Sequence, residues 1–290
     1  MLGNGKPAGK RTDAFRARVE RKITLLLLMP CVFFLLILFV IPVGYVLILS
    51  VTDPSFGISQ YTRIFSTKLY LLVLYNTFYI AFLVTLICIL LGYPLAYVIA
   101  CRNDGWSSFF FFLVVLSFWT GFIVRSYSWM VILGQSGPAA SLLKMVGFDP
   151  PPQMLFTSFS SLLGMTHIML PYMVMALYSV MRKFEPNYMR AAESLGARPF
   201  TAFRTVFIPL SLPGVVNGSV LVFTICLGFY ITPILLGGPR DIMLSQLINQ
   251  QIIDLLNWGF AASLSVVLLV VTAVVLFIYN RLVGLDKLWG

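Results

Sequence analysis

The chain has 290 residues, is 59% hydrophobic and only 10% charged, and carries a formal net charge of +10; its mean hydropathy is +0.93. Soluble domains run near ~45–50% apolar and about 25% charged, so a water-soluble enzyme, a nucleic-acid binder and a disordered scaffold are excluded. The length suits roughly six membrane-spanning helices of about 20–25 residues with short connections.

In chain order the apolar segments are Ile23–Val51, Tyr70–Ala100, Ser108–Leu133, Phe159–Met181, Pro213–Leu236 and Trp258–Val283. At about 1.5 Å of rise per residue, each bridges a hydrocarbon core about 30 Å thick. The first has a long basic lead-in (residues 1–22) and no small-residue cleavage site, so it reads as a span and not a signal peptide. Pro42, Pro94, Pro171 and Pro233 interrupt the runs, which membranes tolerate when neighbouring helices satisfy the freed backbone groups. Cys31, Cys88, Cys101 and Cys226 lie in or beside apolar runs without CxxC spacing. They read as small buried hydrophobes, not as a metal site or disulfide framework.

Charge sets the orientation. Lys6, Lys10, Arg11, Arg16, Arg18, Arg21 and Lys22 precede the first span; Arg182, Lys183, Arg190, Arg198 and Arg204 fall in the loop 182–212. With Arg102, Arg281 and Lys287 they lie on one side, and only Arg63, Lys68, Arg125, Lys144 and Arg240 lie on the other. Positive charge stays inside, which predicts cytoplasmic termini (1–22 and 284–290) and a cytoplasmic loop 182–212. The basic charge is then a topology signal and a contact for anionic lipid, with no role for nucleic acid.

All ten acids (Asp13, Glu20, Asp53, Asp104, Asp149, Glu185, Glu193, Asp241, Asp254, Asp286) fall in tails or loops. Proton- and sodium-coupled carriers use buried ionisable relays, so a channel or secondary carrier ranks below a transporter powered by another chain. No G-x-x-x-x-G-K-[ST] loop is present, so ATP hydrolysis is expected from a partner and no cofactor is expected on this chain. His167 has no nucleophile or orienting group at a recognisable spacing and reads as a helix-packing residue.

The loop 182–212 reads as two short helices. Pro186 and Pro199 suit first-turn positions, and Gly196 suits the left-handed residue that ends the first helix. Ala191, Ala192 and Ala197 keep that helix thin, while Phe200, Phe203, Val206 and Phe207 recur at helical spacing and fix the second helix under the bundle. Taken alone, the pattern is equally an amphipathic loop without a partner.

Arg190-Ala191-Ala192-x-x-x-Gly196, then nine residues, then Val206-x-Ile208-Pro209 resembles the EAA loop of ABC importer permeases, the membrane subunits of binding-protein-dependent uptake systems. The resemblance implies that Arg190, Ala191, Ala192, Glu193, Gly196, Ala197 and Pro209 couple to a cytoplasmic ATPase, with Arg190 standing where the family's glutamate does. Further stretches resemble the spermidine/putrescine (PotB-type) branch: Tyr61–Phe65, Gly92–Ala96, the third-span run Phe118–Gly134, and Ile231–Pro239. At the branch's acidic position before the last of these, this chain has Phe229.

The resemblance implies an all-α polytopic membrane protein: a peripheral first helix (23–51) and a five-helix MetI-like permease core (70–283). Its partners would be a second, different permease chain, two ATPase subunits and a periplasmic binding protein. Candidate pathway residues are Trp119, Thr120, Arg125, Ser126, Tyr127, Trp129, Phe229 and Tyr230, together with Asn76. Trp119, Trp129 and Trp258 are also suited to the interfacial belt, and Arg125 to snorkelling. A polyamine needs carboxylates or aromatic faces along its path; the aromatics are here, and acids would come from the partner or from Asp241. An opine, amino-acid derivative or organic acid, steered by Arg125, is the alternative solute. Gly214 and Gly218 form a GxxxG pair suited to close helix packing.

Overall fold

The computed structural model describes residues 9–53, 55–102, 104–184 and 187–283, with side chains from residue 26 to residue 281 except residue 187. Pro186, residues 1–8 of the basic lead-in, Lys287 and the C-terminal tail lie outside the described residues. Among the described residues every regular element is helical. Five helices among the described residues are long and apolar enough to cross a membrane, and the count reaches six when the bent pair Gly105–Trp119 and Phe122–Met145 is taken as one span.

Helix α1 (Gly9–Thr52) encloses Pro30 and Pro42 and is exposed within this chain along its apolar length, as a peripheral helix must be. Cys31 is consequently exposed, and Cys101 is too, while Cys88 and Cys226 are buried; the expectation of four buried thiols holds for only two. The C-terminal end of α1 is anchored. Ser263 Oγ on α13 (Trp258–Val283) donates to the Ser50 carbonyl at 3.0 Å. Tyr61 Oη on α2 (Ser59–Ser66) donates to Ser50 Oγ at 2.7 Å.

The core is the packing of α3 (Lys68–Cys101), α7 (Ser158–Met181) and α10 (Ile208–Gly228). On α7 the residues Met165, Met169, Met173, Leu177 and Met181 recur every fourth position and are fully buried, a polarizable seam that fills irregular gaps. Glycines set the spacing. A Cβ on Gly92 would stand 3.1 Å from Met173 Cγ, and one on Gly218 2.6 Å from Met173 Sδ. The Gly214–Gly218 pair therefore faces α7 at close range.

Outside the core, α11 (Ile231–Leu236) leads to α12 (Leu244–Ile253). Thr77 of α3 stands in for the missing side-chain cap of α12: its hydroxyl accepts from Leu244 N–H at 2.7 Å and donates to the Val73 carbonyl. Thr77→Val keeps the shape and orphans a buried N–H, so it is expected to cost about 1–3 kcal/mol. Thermal unfolding of the solubilised protein should show a lowered midpoint for Thr77→Val and a near-native one for Thr77→Ser.

Two of the apolar segments depart from single continuous spans. Residues 108–133 are not one helix: α4 (Gly105–Trp119) and α5 (Phe122–Leu133) meet at Thr120–Gly121, and Gly105–Trp119 is bent by 101° from the stretch Phe122–Met145 that α5 begins. Thr120 Oγ1 folds back onto the Ser117 carbonyl at 2.9 Å, and a hydroxyl competing for backbone next to glycine is a weak point in a helix. The segment 213–236 is displaced: α10 ends at Gly228, and α11 begins after Phe229 and Tyr230. Pro233 cannot donate to the carbonyl four residues back, that of Phe229, and Ser245 Oγ takes that acceptor instead at 3.0 Å.

At its N-terminal end α10 begins earlier than expected. Helix α9 (Pro199–Ala202), a π-helical turn over Phe203–Phe207 and α10 join into one rod, Pro199–Gly228. Pro209 has no N–H for the Thr205 carbonyl, and the π turn, with Ile208 N–H bonded to the Phe203 carbonyl, sits where that bond would close. The second loop helix is thus the start of the fifth span and no separate element.

Candidate functional site

The two helix breaks lie side by side. Ser126 Oγ on α5 and Thr232 Oγ1 on α11 are both fully buried and share a hydrogen bond of 2.8 Å. The rings of Phe122 and Phe229 meet edge-on, 5.8 Å between centroids. Helix α7 backs both half-helices: Gly164 lies where a Cβ would strike Thr232 and Leu236. Trp129 Nε1 donates to His167 Nδ1 at 3.1 Å, which gives the histidine the packing partner that sequence spacing could not name.

The candidate pathway residues divide. Trp119 is 84% exposed and Tyr127 52%; Thr120 is exposed, and Arg125, Trp129, Phe229 and Tyr230 are partly covered. This chain leaves all of these open, wholly or in part. Ser126 is closed off, its hydroxyl engaged with Thr232 and the Phe122 carbonyl. Asn76 donates to the Arg240 carbonyl at 2.8 Å, tying α3 to the α11–α12 loop. Asp241 is buried, accepting from Ser158 Oγ and from Gly238 N–H; it holds the α11–α12 loop to the start of α7 and is no loose acid for a cationic solute. Thr232 and Ser245 were not singled out by sequence; the proline at position 233 was the signal available for both.

Ahead of the fifth-span rod, α8 (Asn187–Ser194) is closed by a left-handed Gly196 with φ of 90°. Gly196 N–H bonds to the Glu193 carbonyl and Ala197 N–H to the Ala192 carbonyl, the pair of bonds that makes a Schellman cap. Ala192 and Ala197 are half-buried, while Ala191 is exposed beside Leu195, 90% exposed at the tip. Arg190 and Glu193 turn to the flank, where with Tyr97, Cys101 and Phe207 they line a hollow of about 270 Å3. Pro199 opens α9 as expected. Phe203 and Phe207 stack and meet Tyr97 edge-on, so these two fix the rod under the bundle. Phe200 is exposed and has no part in that packing.

Asp104 caps α4 in the short α3–α4 connection, accepting from Ser107 N–H at 3.0 Å and pairing with Arg102. The Ser107 N–H first, and Arg102 second, hold its carboxyl below the usual range. The cap is therefore complete at neutral pH and is lost as pH falls through that lowered value.

A helical bundle with two adjacent helix breaks and a short helix closed by a Schellman cap beside the fifth-span rod is the build of a membrane permease. Residues 92–284 match the family of binding-protein-dependent transport system inner membrane components, and the chain belongs to that family: a permease subunit of the ABC importer kind, a transport component and not an enzyme. It is 33% identical over 225 residues to the spermidine/putrescine transport system permease protein PotB of Haemophilus influenzae, covering 77% of this chain and 78% of that one. It is 32% identical over 233 residues to PotB of Escherichia coli K12, covering 80% and 84%. Among solved structures it resembles a bacterial alginate ABC transporter in complex with its alginate pentasaccharide-bound periplasmic protein, with a TM-score of 0.74, 16% identity, and coverage of 91% of this chain and 95% of that chain. At that identity the likeness concerns the fold.

Proposed function

We propose that this chain forms one half of the solute pathway of an ATP-driven importer of polyamines such as spermidine and putrescine, with both termini in the cytoplasm. A second permease chain completes the pathway, two cytoplasmic ATPase subunits use ATP and magnesium, and a periplasmic binding protein delivers the solute. The observation that carries the mechanism is the physical continuity from α8 to the fifth span. Helix α8 leads through its Schellman turn into a rod that runs unbroken from Pro199 to Gly228 and stops at the open breaks. ATP-driven closure of the ATPases, felt at Ala191–Ala197, tilts that rod and re-sets the half-helices α5 and α11, a two-state element biased from both ends. The polyamine assignment is supported by the similarity to PotB along most of the chain and by the exposed aromatic faces of Trp119 and Tyr127, which suit cations.

The test is a mild-detergent purification of the native assembly followed by reconstitution with its binding protein. Recovery of a second permease and a Walker-type ATPase, with ATP-dependent uptake of labelled spermidine, is the expected result. Uptake of opines or organic acids in place of polyamines would replace the substrate. ATP-independent flux by the chain alone would overturn the importer reading.

A further inference from the structure

Among the described residues Arg125 is a cation without a counter-charge. It lies one helical turn before Trp129 on α5, and Trp129 is bonded to His167, ten residues into the 24-residue α7. On α4, the adjacent Phe118 ring packs on Tyr172, further down α7, at 5.0 Å. At about 1.5 Å per residue these neighbours are roughly 15–20 Å from the outer end of α7, near the middle of a core about 30 Å thick. The guanidinium makes one long hydrogen bond, Nη1 to Ser117 Oγ at 3.3 Å, and its buried Nε makes none. Among the described residues the single ion pair is Arg102–Asp104, at the cytoplasmic end.

A charge at that depth requires a partner, and it requires one throughout the transport cycle, between solutes as well as during their passage. A cationic solute cannot supply it. Nor can a second copy of this chain, because none of the ten acids falls within the apolar helices. The face of α5 that carries Arg125 is also uncovered by this chain: Phe122, Ser128 and Ile132 are exposed there.

We infer that Arg125 pairs with a carboxylate carried at mid-membrane by the partner permease. This rests on the reading above that two permeases share the pathway. The pair closes a charge bridge between the subunits where α4 turns into α5, and it fixes which surface of the partner can face this one.

The experiment uses the intact complex with its co-purifying permease. Arg125→Glu is expected to lower uptake about 10-fold or more, because it leaves two buried like charges facing each other; Arg125→Lys keeps the charge and should retain most activity with unchanged complex yield. Each membrane-embedded Asp or Glu of the co-purifying permease is then replaced by Arg. One of these reversals should restore uptake by the Arg125→Glu complex to within about threefold of native, and cysteines at the same two positions should cross-link in the native membrane. Native uptake by Arg125→Gln and Arg125→Glu would overturn the inference, as would a loss that no partner reversal rescues. A loss confined to carboxylate-bearing solutes would assign the carboxylate to the solute and also overturn it. Absence of a second permease from the purified complex would defeat the two-permease reading itself, whereas its presence without rescue or cross-link defeats only the ion pair.

Discussion

Gly196→Glu is expected to abolish solute uptake while the chain still inserts and its core still packs. Gly196 holds φ at 90°, and no atom lies within 4 Å of where its Cβ would stand, so the cost comes from the backbone and not from a clash. A side chain in the left-handed region costs roughly 1–2 kcal/mol, paid locally by an eight-residue helix that has little packing of its own. The Schellman bonds from Gly196 and Ala197 would loosen, and a carboxylate would appear beside Leu195 at the tip. Gly196→Ala carries the backbone strain alone and should show an intermediate loss. The measurements are uptake, membrane level and co-purification of the ATPase for both variants. Normal transport by Gly196→Glu at a normal membrane level would sink the coupling role of α8.

Gly259→Val should detach the C-terminal end of α1. A Cβ at Gly259 would stand 2.4 Å from the Asp53 carbonyl oxygen and 2.8 Å from Asp53 Cβ. The first of these is backbone, which cannot rotate away as a side-chain tip can. Overpacking typically costs about 1–3 kcal/mol, and the upper end is expected here because relief requires moving α1 and breaking the Ser263–Ser50 hydrogen bond. Thermal unfolding of the solubilised complex should show a lowered midpoint, and a cysteine cross-link between α1 and α13 should disappear. Gly259→Ala should show a smaller shift in the same direction. An unchanged midpoint and an intact cross-link for Gly259→Val would mean that the two helices do not meet at this glycine.

Hydropathy and composition determined the number and approximate location of the membrane segments, because a bilayer imposes one physical demand on every span: enough consecutive apolar residues to cover the hydrocarbon. Local chemistry determined some details as well. Gly196 was legible as a helix stop because only glycine occupies the left-handed region freely, and the interruption at Pro233 was legible because proline lacks a donor. The break at Thr120–Gly121 was not, since threonine and glycine both occur within membrane helices and the competing hydroxyl bond becomes visible only with the coordinates. The joining of the second loop helix to the fifth span depended on a π turn, which has no residue signature comparable to a cap. Above all, the partners of polar side chains were decided by the tertiary structure. Ser126, Asn76 and Asp241 looked available in the sequence, and each is engaged by a residue between 83 and 164 positions away. Hydropathy acts along the chain and is read from it directly; hydrogen bonds of that range exist only once the helices have packed.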